Sequence, residues 1–151
     1  MSRLRGDILK DIEIAKNIFQ KEDMAIVVVK NGVVVFKSKD RGIKPIYRLA
    51  KEMKEEAHGA SIVDKVIGKG AALLCGYLGI KEVHGVLMSK EGQTILDRYK
   101  IPYTMDISCP YIMNRDKTDY CPIEKLSLDI EDPEIFLSRV EEFFTSIRNM
   151  E

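Results

Sequence analysis

The stretch Asp64-Lys65-Val66-Ile67-Gly68-Lys69-Gly70-Ala71-Ala72-Leu73-Leu74-Cys75 decides how the chain is read. Wound as a helix it is apolar on nearly every side, and its three charges, Asp64, Lys65 and Lys69, fall in the first turns. A helix that is apolar all round is a buried one. Charge gathered at its N-terminal end marks the floor of a site. The expectation is a buried helix that starts near Asp64, with Ser61 arranged to cap it, and ends at Gly79.

Upstream, Leu4 to Phe19 carries Ile8, Ile12, Ala15 and Phe19 on one helical face, the pattern of an amphipathic helix. Two β-branched runs follow, Ala25 to Val29 and Val33 to Phe36, separated by Asn31-Gly32. Asn-Gly between such runs predicts a two-residue hairpin turn, because both central residues need positive φ. Neither run alternates polar with apolar, so both strands are expected at the centre of a sheet covered on both faces. Pro45 suits the first turn of a second helix with a stripe of Ile46, Leu49, Ala50, Met53 and Ala57, which Gly59 can close.

Downstream, the pattern is strand (Val83 to Met88), helix (Ser89 to Tyr99, with Ser89 as N-cap) and strand (Tyr103 to Ile107). Such a unit makes a right-handed parallel crossover. Cys109 to Tyr120 is polar and irregular, Cys121-Pro122-Ile123-Glu124 opens a short helical turn, and Asp132-Pro133-Glu134 starts a last helix with Phe136, Val140, Phe143 and Ile147 as its stripe. These elements sum to an α/β fold, a three-layer α-β-α domain with a mixed sheet. Residues 1–151 read as one domain, with 132–148 as a C-terminal helical extension.

Basic and acidic residues balance at 24 each, which argues against general binding of nucleic acid. No run is long and apolar enough to span a bilayer, and Met1 to Arg5 leads into a charged amphipathic segment instead of a signal peptide. The three cysteines are far apart and read as reduced thiols, so the expected location is cytoplasmic.

In the helical reading, Lys65 and Lys69 share one face, and free N–H groups and the helix dipole point the same way. That arrangement favours an anion such as a phosphate, with Gly68 and Gly70 allowing close approach. The competing reading has the lysines reaching solvent and the glycines serving tight packing. Asp64 caps the helix, hydrogen-bonds a ligand or acts as a base. Asn114-Arg115-Asp116 lies in the loop after a parallel strand, where Arg115 could fork onto a phosphate, or it is an ordinary solvated turn. Cys121, at a helix start, is expected to have a lowered thiol pKa, with Glu124 three residues on; the alternative is a buried small residue with a capping carboxylate. His84 lies in a strand and reads as structural, and neither it nor His58 fits a metal spacing.

The order helix, hairpin, helix, strand, helix, strand is similar to the cytidine-deaminase-like fold. The strings Asp64 to Ala72, Asn114-Arg115-Asp116 and Cys121-Pro122-Ile123-Glu124 resemble a small prokaryotic family known only as a domain of unknown function with that fold. Zinc deaminases place H-x-E or C-x-E at one helix start and P-C-x-x-C at another. The resemblance puts Asp64-Lys65-Val66 at the first position and Cys121 to Glu124 at the second, so most of the zinc motif is absent.

The resemblance and the residues together give the functional expectation. Nucleotide-like or phosphate-bearing small molecules, ADP-ribose-like ones included, are the expected ligands. Lys65, Gly68, Lys69, Asn114, Arg115 and Asp116 would bind, Asp64, Cys121 and Glu124 would carry any chemistry, and no metal or cofactor is expected. The alternatives are an active deaminase or hydrolase with non-standard metal ligands, and a non-enzymatic interaction module; a homo-oligomer is a further expectation.

Overall fold

The computed structural model describes residues 9–114 and 116–150, the side chain of Met150 excepted. Leu4 to Ile8, the first part of the expected N-terminal helix, lie outside the described residues, as does Arg115. The first helix, α1 (Asp11–Lys21), buries Ile12 and Ala15. The hairpin follows as β1 (Ile26–Lys30) and β2 (Val33–Ser38), paired antiparallel. Asn31 and Gly32 both take positive φ, 52° and 78°, as the two-residue turn demands. Asp11 ties that turn to α1: its carboxylate oxygens accept the backbone N–H groups of Asn31 and Gly32 at 2.9 and 2.8 Å.

Two short helices, α2 (Lys44–Glu52) and α3 (Lys54–Ala57), lead to the main departure from the sequence reading. Ser61–Ile67 is a strand, β3, and the buried helix α4 (Lys69–Leu78) begins only at Lys69. Asp64, Lys65 and Val66 are therefore strand residues, and Ser61 caps nothing. The physical reason is composition: Ile62, Val63, Val66 and Ile67 are β-branched and stiff at χ1, which favours the pleated surface. Gly68 marks the boundary, and Gly79, at φ 72°, closes α4 in the left-handed region.

The crossover unit is as expected. β4 (Glu82–Ser89) and β5 (Tyr103–Cys109) run parallel, joined by α5 (Lys90–Arg98). The Ser89 hydroxyl accepts the Gly92 N–H at 3.0 Å, so Ser89 caps α5. The chain ends with α6 (Pro122–Ser127) and α7 (Pro133–Met150).

The five strands form one mixed sheet in the order β2-β1-β3-β4-β5. β3 is antiparallel to β1 and parallel to β4. Along β1, Val27 and Val29 point to a small core beneath α1, which also holds Met24 and Val63. Ile26 and Val28 point the other way, into the larger core with α2, α4, α5 and α7. Two covered faces explain why β1 does not alternate polar and apolar residues. The same inference fails for β2. It is the edge strand, and Val33 is 64% exposed. β-branched runs look alike at the centre and at the edge of a sheet.

Helix α4 is buried along most of its length, which explains its apolar composition on all sides. The ring of Phe136 from α7 lies where a side chain at Gly70 would go, so the helices approach at that glycine. Phe136 and Val140 are fully buried in the same core, and Phe144 joins it through an edge-to-face contact with Tyr47 at 5.2 Å. Ile147, expected on the apolar stripe, is instead 40% exposed. Among the described residues no helix is long and apolar enough to cross a membrane.

Candidate functional site

Parallel strands deliver their following loops to one end of a sheet, and ligand crevices in α/β folds lie outside the carboxyl ends of such strands. Here β3 runs into Gly68 and α4, while the loop after β5 leads through Ile112 to Cys121 and α6. A cavity of ≈ 200 Å³ lies between them. Its walls are largely apolar, with Ile43, Val66, Ala71, Ile112 and Ile123, and its polar groups are Asp64, Cys121 and Glu124. Larger concavities of ≈ 470 and ≈ 540 Å³ lie near the hairpin turn and between α2 and α7. Neither is lined by a buried carboxyl or a thiol; the ≈ 200 Å³ cavity has both.

Glu124 is the most constrained of these groups. It is 3% exposed. Its Oε1 accepts the backbone N–H of Lys69 at 3.0 Å, the first free donor of α4. Its Oε2 is buried and has no hydrogen-bond partner. Burial pushes its pKa up and Glu91 adds to the rise, while the backbone N–H groups of Lys69, Gly70 and Ile112 pull the other way. Gly68 makes this contact sterically possible, since a Cβ there would fall on the Glu124 carboxylate.

Asp64 is 7% exposed and lies in the wall of the same cavity. Burial raises its pKa from 3.8 to about 7, against the smaller effect of the Val66 N–H, which approaches Oδ1 at 3.5 Å. Cys121 departs from expectation. Its thiol pKa is raised by burial, which outweighs the N–H groups at the start of α6, so it is not an activated nucleophile. Cys109 is likewise raised by burial and by Glu124.

Four sequence candidates therefore converge: Asp64, Gly68, Cys121 and Glu124. The lysines do not act as expected. Lys65 lies on β3 and Lys69 on α4, so they do not share a helix face. Lys69 is 4% exposed, and its Nζ donates to Glu131 at 2.9 Å and to the Leu128 carbonyl at 3.3 Å. That ion pair neutralises its charge, and Glu131 also pairs with Arg98. The carboxyl of Glu131 is held below its usual range by Lys69 first and Arg98 second.

Asn114 is committed within its own loop, accepting the Thr118 N–H at 3.0 Å and donating to the Thr118 hydroxyl at 3.1 Å. Asp116 is exposed, and neither residue lines the cavity. His84 bonds Thr104 at 2.6 Å and faces Asp106 at 3.3 Å, the structural role its position suggested. The apolar walls from Ile43, Ile112 and Ile123 were missed. Their only sequence signal was isoleucine placed in or beside loops.

Zinc deaminases hold their metal at the two helix starts to which the resemblance assigns Asp64 and Cys121. Structural and catalytic zinc need three or four protein ligands or water around one point. Among the described residues no three His, Cys, Asp or Glu side chains come together in that way. The residues present do not fit the group, and no chemical step is derived through it.

Comparison with known proteins places the chain. No curated protein matches it. Among solved structures it is similar to a DUF1893 family protein (TM1506) from Thermotoga maritima, with a TM-score of 0.81, 27% identity, and coverage of 94% of this chain and 98% of that one. A weaker similarity is to dCMP deaminase from the cyanophage S-TIM5, in apo form, with a TM-score of 0.44, 15% identity and coverage of 62% and 92%. At that level it carries no argument about this chain's chemistry. The family model described as "Domain of unknown function (DUF1893)" matches residues 14–144, and the chain belongs to that family.

Proposed function

We propose that the cavity between β3, α4 and α6 binds the ring of a nucleobase-like small molecule. The observation that carries this reading is Glu124 Oε2, buried without a hydrogen-bond partner on a residue that lines a largely apolar cavity. A buried polar atom without a partner costs about 1–3 kcal/mol, so a bound N–H donor would recover that loss. The apolar walls suit the faces of a flat heterocycle, and Glu124 suits a ring edge that carries an N–H.

Size narrows the class. The cavity, ≈ 200 Å³, is below the roughly 300 Å³ at which ordinary ligand pockets begin. It suits one ring with a short substituent better than a ligand of the ADP-ribose type, with a bicyclic base, two riboses and a diphosphate. Glu124 and Asp64 are the groups placed to exchange a proton with such a ring, whereas Cys121, a protonated thiol, is part of the wall. A cytoplasmic location agrees with three cysteines that are all free.

The test is calorimetric titration of the purified protein with cytosine and uracil and their nucleosides, with adenine and guanine as two-ring comparisons. At least one is expected to bind, and Glu124→Gln should weaken it about tenfold, because the amide can keep the Lys69 N–H but loses the second acceptor. Absence of binding by all of them at millimolar concentration would sink the reading.

A further inference from the structure

The cavity between β3, α4 and α6 carries charge of one sign only. Its lining includes two carboxyls, Asp64 and Glu124, and no lysine, arginine or histidine. Both carboxyls are buried. Among the described residues neither forms an ion pair. The cations nearest in sequence are engaged elsewhere. Lys69 donates to Glu131 and to the Leu128 carbonyl. Lys65 follows Asp64 on β3, and side chains alternate along a strand, so it leaves by the other face of the sheet. Arg41 lines a smaller neighbouring cavity together with Asp64, yet it is exposed and makes no ion pair with that carboxyl. Glu91, in the first turn of α5, adds further negative charge near Glu124.

A carboxylate taken out of water without a cation is costly, and two around one cavity repel each other besides. The protein meets that cost with protons: burial raises Asp64 to about 7 and moves Glu124 in the same direction. A ligand that brings its own positive charge removes the cost directly. A charged N–H donor also binds a carboxylate roughly twice as strongly as a neutral one. Glu124 Oε2, buried and without a partner on a residue of the lining, is the acceptor left for such a donor. A metal ion is the wrong cation here. It needs three or four ligands around one point, and among the described residues no three His, Cys, Asp or Glu side chains come together. The side chains of Ile43, Val66, Ala71, Ile112 and Ile123 suit instead the faces of a flat organic group.

We propose that the ligand of this cavity is a flat organic cation, one ring bearing an amidinium either within it or upon it, held by the carboxylates of Glu124 and Asp64. This rests on the ring-binding reading above and adds the ligand's charge to it. A planar amidinium offers two N–H donors side by side, the pattern that carboxylate oxygens match best.

The experiment uses three probes of one shape and different charge: benzamidine, a cation; benzamide, its neutral counterpart; and benzoate, an anion. Each is titrated calorimetrically into the full chain at pH 8, where Asp64 is mostly ionised. Benzamidine is expected to bind about tenfold more tightly than benzamide, and benzoate is expected to bind weakest. Asp64→Asn and Glu124→Gln should each shrink the ratio of benzamidine to benzamide affinity severalfold. Both substitutions nearly keep the side chain's shape, and a cooperative melting transition shows that a variant is folded. The wild-type ratio decides the matter even where a variant does not fold.

Equal affinity for benzamidine and benzamide overturns the cationic class and leaves the ring site standing. So does a protein that binds a nucleobase but not benzamidine at millimolar concentration. A ratio undiminished in both folded variants overturns it too, because the cation would then sit on other carboxylates. No binding by any probe, nucleobase or nucleoside overturns both readings.

Discussion

Glu124 Oε1 accepts the Lys69 backbone N–H at 3.0 Å, joining α6 to the first turn of α4 across 55 positions of sequence. One carboxylate oxygen thus satisfies a helix terminus, and the other is buried without a hydrogen-bond partner. The two halves of that side chain separate by substitution. Glu124→Ala removes both and leaves a buried N–H orphaned, a loss of about 1–3 kcal/mol in denaturant unfolding. Glu124→Gln keeps the Lys69 contact and should cost less than half as much. Equal losses from the two variants would mean that the Lys69 contact contributes nothing.

Gly68 leaves room for that carboxylate. A methyl group there would overlap it and crowd Ile112 at 3.1 Å. Gly68→Ala is expected to destabilise by about 1–3 kcal/mol, the usual cost of overpacking. The Gly68→Ala/Glu124→Ala double variant should lose less than the sum of the two, since the clash partner is gone. Strict additivity in the double-mutant cycle would contradict the contact.

Asp64 predicts a pH dependence with a definite sign. Its folded pKa, about 7, lies above its unfolded value of 3.8. Folding therefore favours the protonated acid. Its contribution is fully present below pH about 4 and is lost as pH rises through about 7. The whole difference corresponds to ~4 kcal/mol at most. Asp64→Asn should raise the melting temperature at pH 8 relative to wild type, with the advantage fading by pH 4. An advantage of the same size at both ends would show that Asp64 is not the group responsible.

Lys69 gives a direct contrast between a structural lysine and an anion ligand. Its Nζ has two partners, one of them the Leu128 carbonyl. Lys69→Met should cost about 1–2 kcal/mol, and added phosphate should not restore that loss. A wild-type melting temperature that climbs with phosphate, and a variant that does not respond, would instead make Lys69 the anion contact.

All three thiols are pushed up by burial, Cys75 furthest because it is fully buried beside Asp64. Iodoacetamide at pH 7.5 should alkylate each more slowly than a small free thiol, since the thiolate is the reactive form. One thiol reacting faster than that reference would restore Cys121, or a neighbour, as a nucleophile.

The hairpin, the crossover unit and the cap of α5 were legible because each signal is local: Asn31-Gly32 needs two positive φ values, and Ser89 sits three residues from its partner Gly92. β3 was not. Ser61 to Ile67 runs without a break into the apolar α4, and a short apolar run does not distinguish strand from helix by periodicity alone. Its β-branched residues were the better signal. Asp64, Gly68, Cys121 and Glu124, which line the cavity, were legible as residue types. Their relations were not, because the partner of Lys69 lies 62 positions away and that of Glu124 lies 55 away. Nothing local announces either.

The position of β3 has one further consequence. Among the described residues it is the only strand with an antiparallel neighbour on one side and a parallel neighbour on the other. A fragment ending before Ser61 keeps only a two-stranded ribbon, which is marginal in water. A fragment starting after Ile67 keeps a parallel pair whose inner edge is open to pairing with other chains. Cleavage on either side of this strand is therefore expected to yield no half that folds by itself, because the seven residues of β3 join the antiparallel and the parallel parts of the sheet.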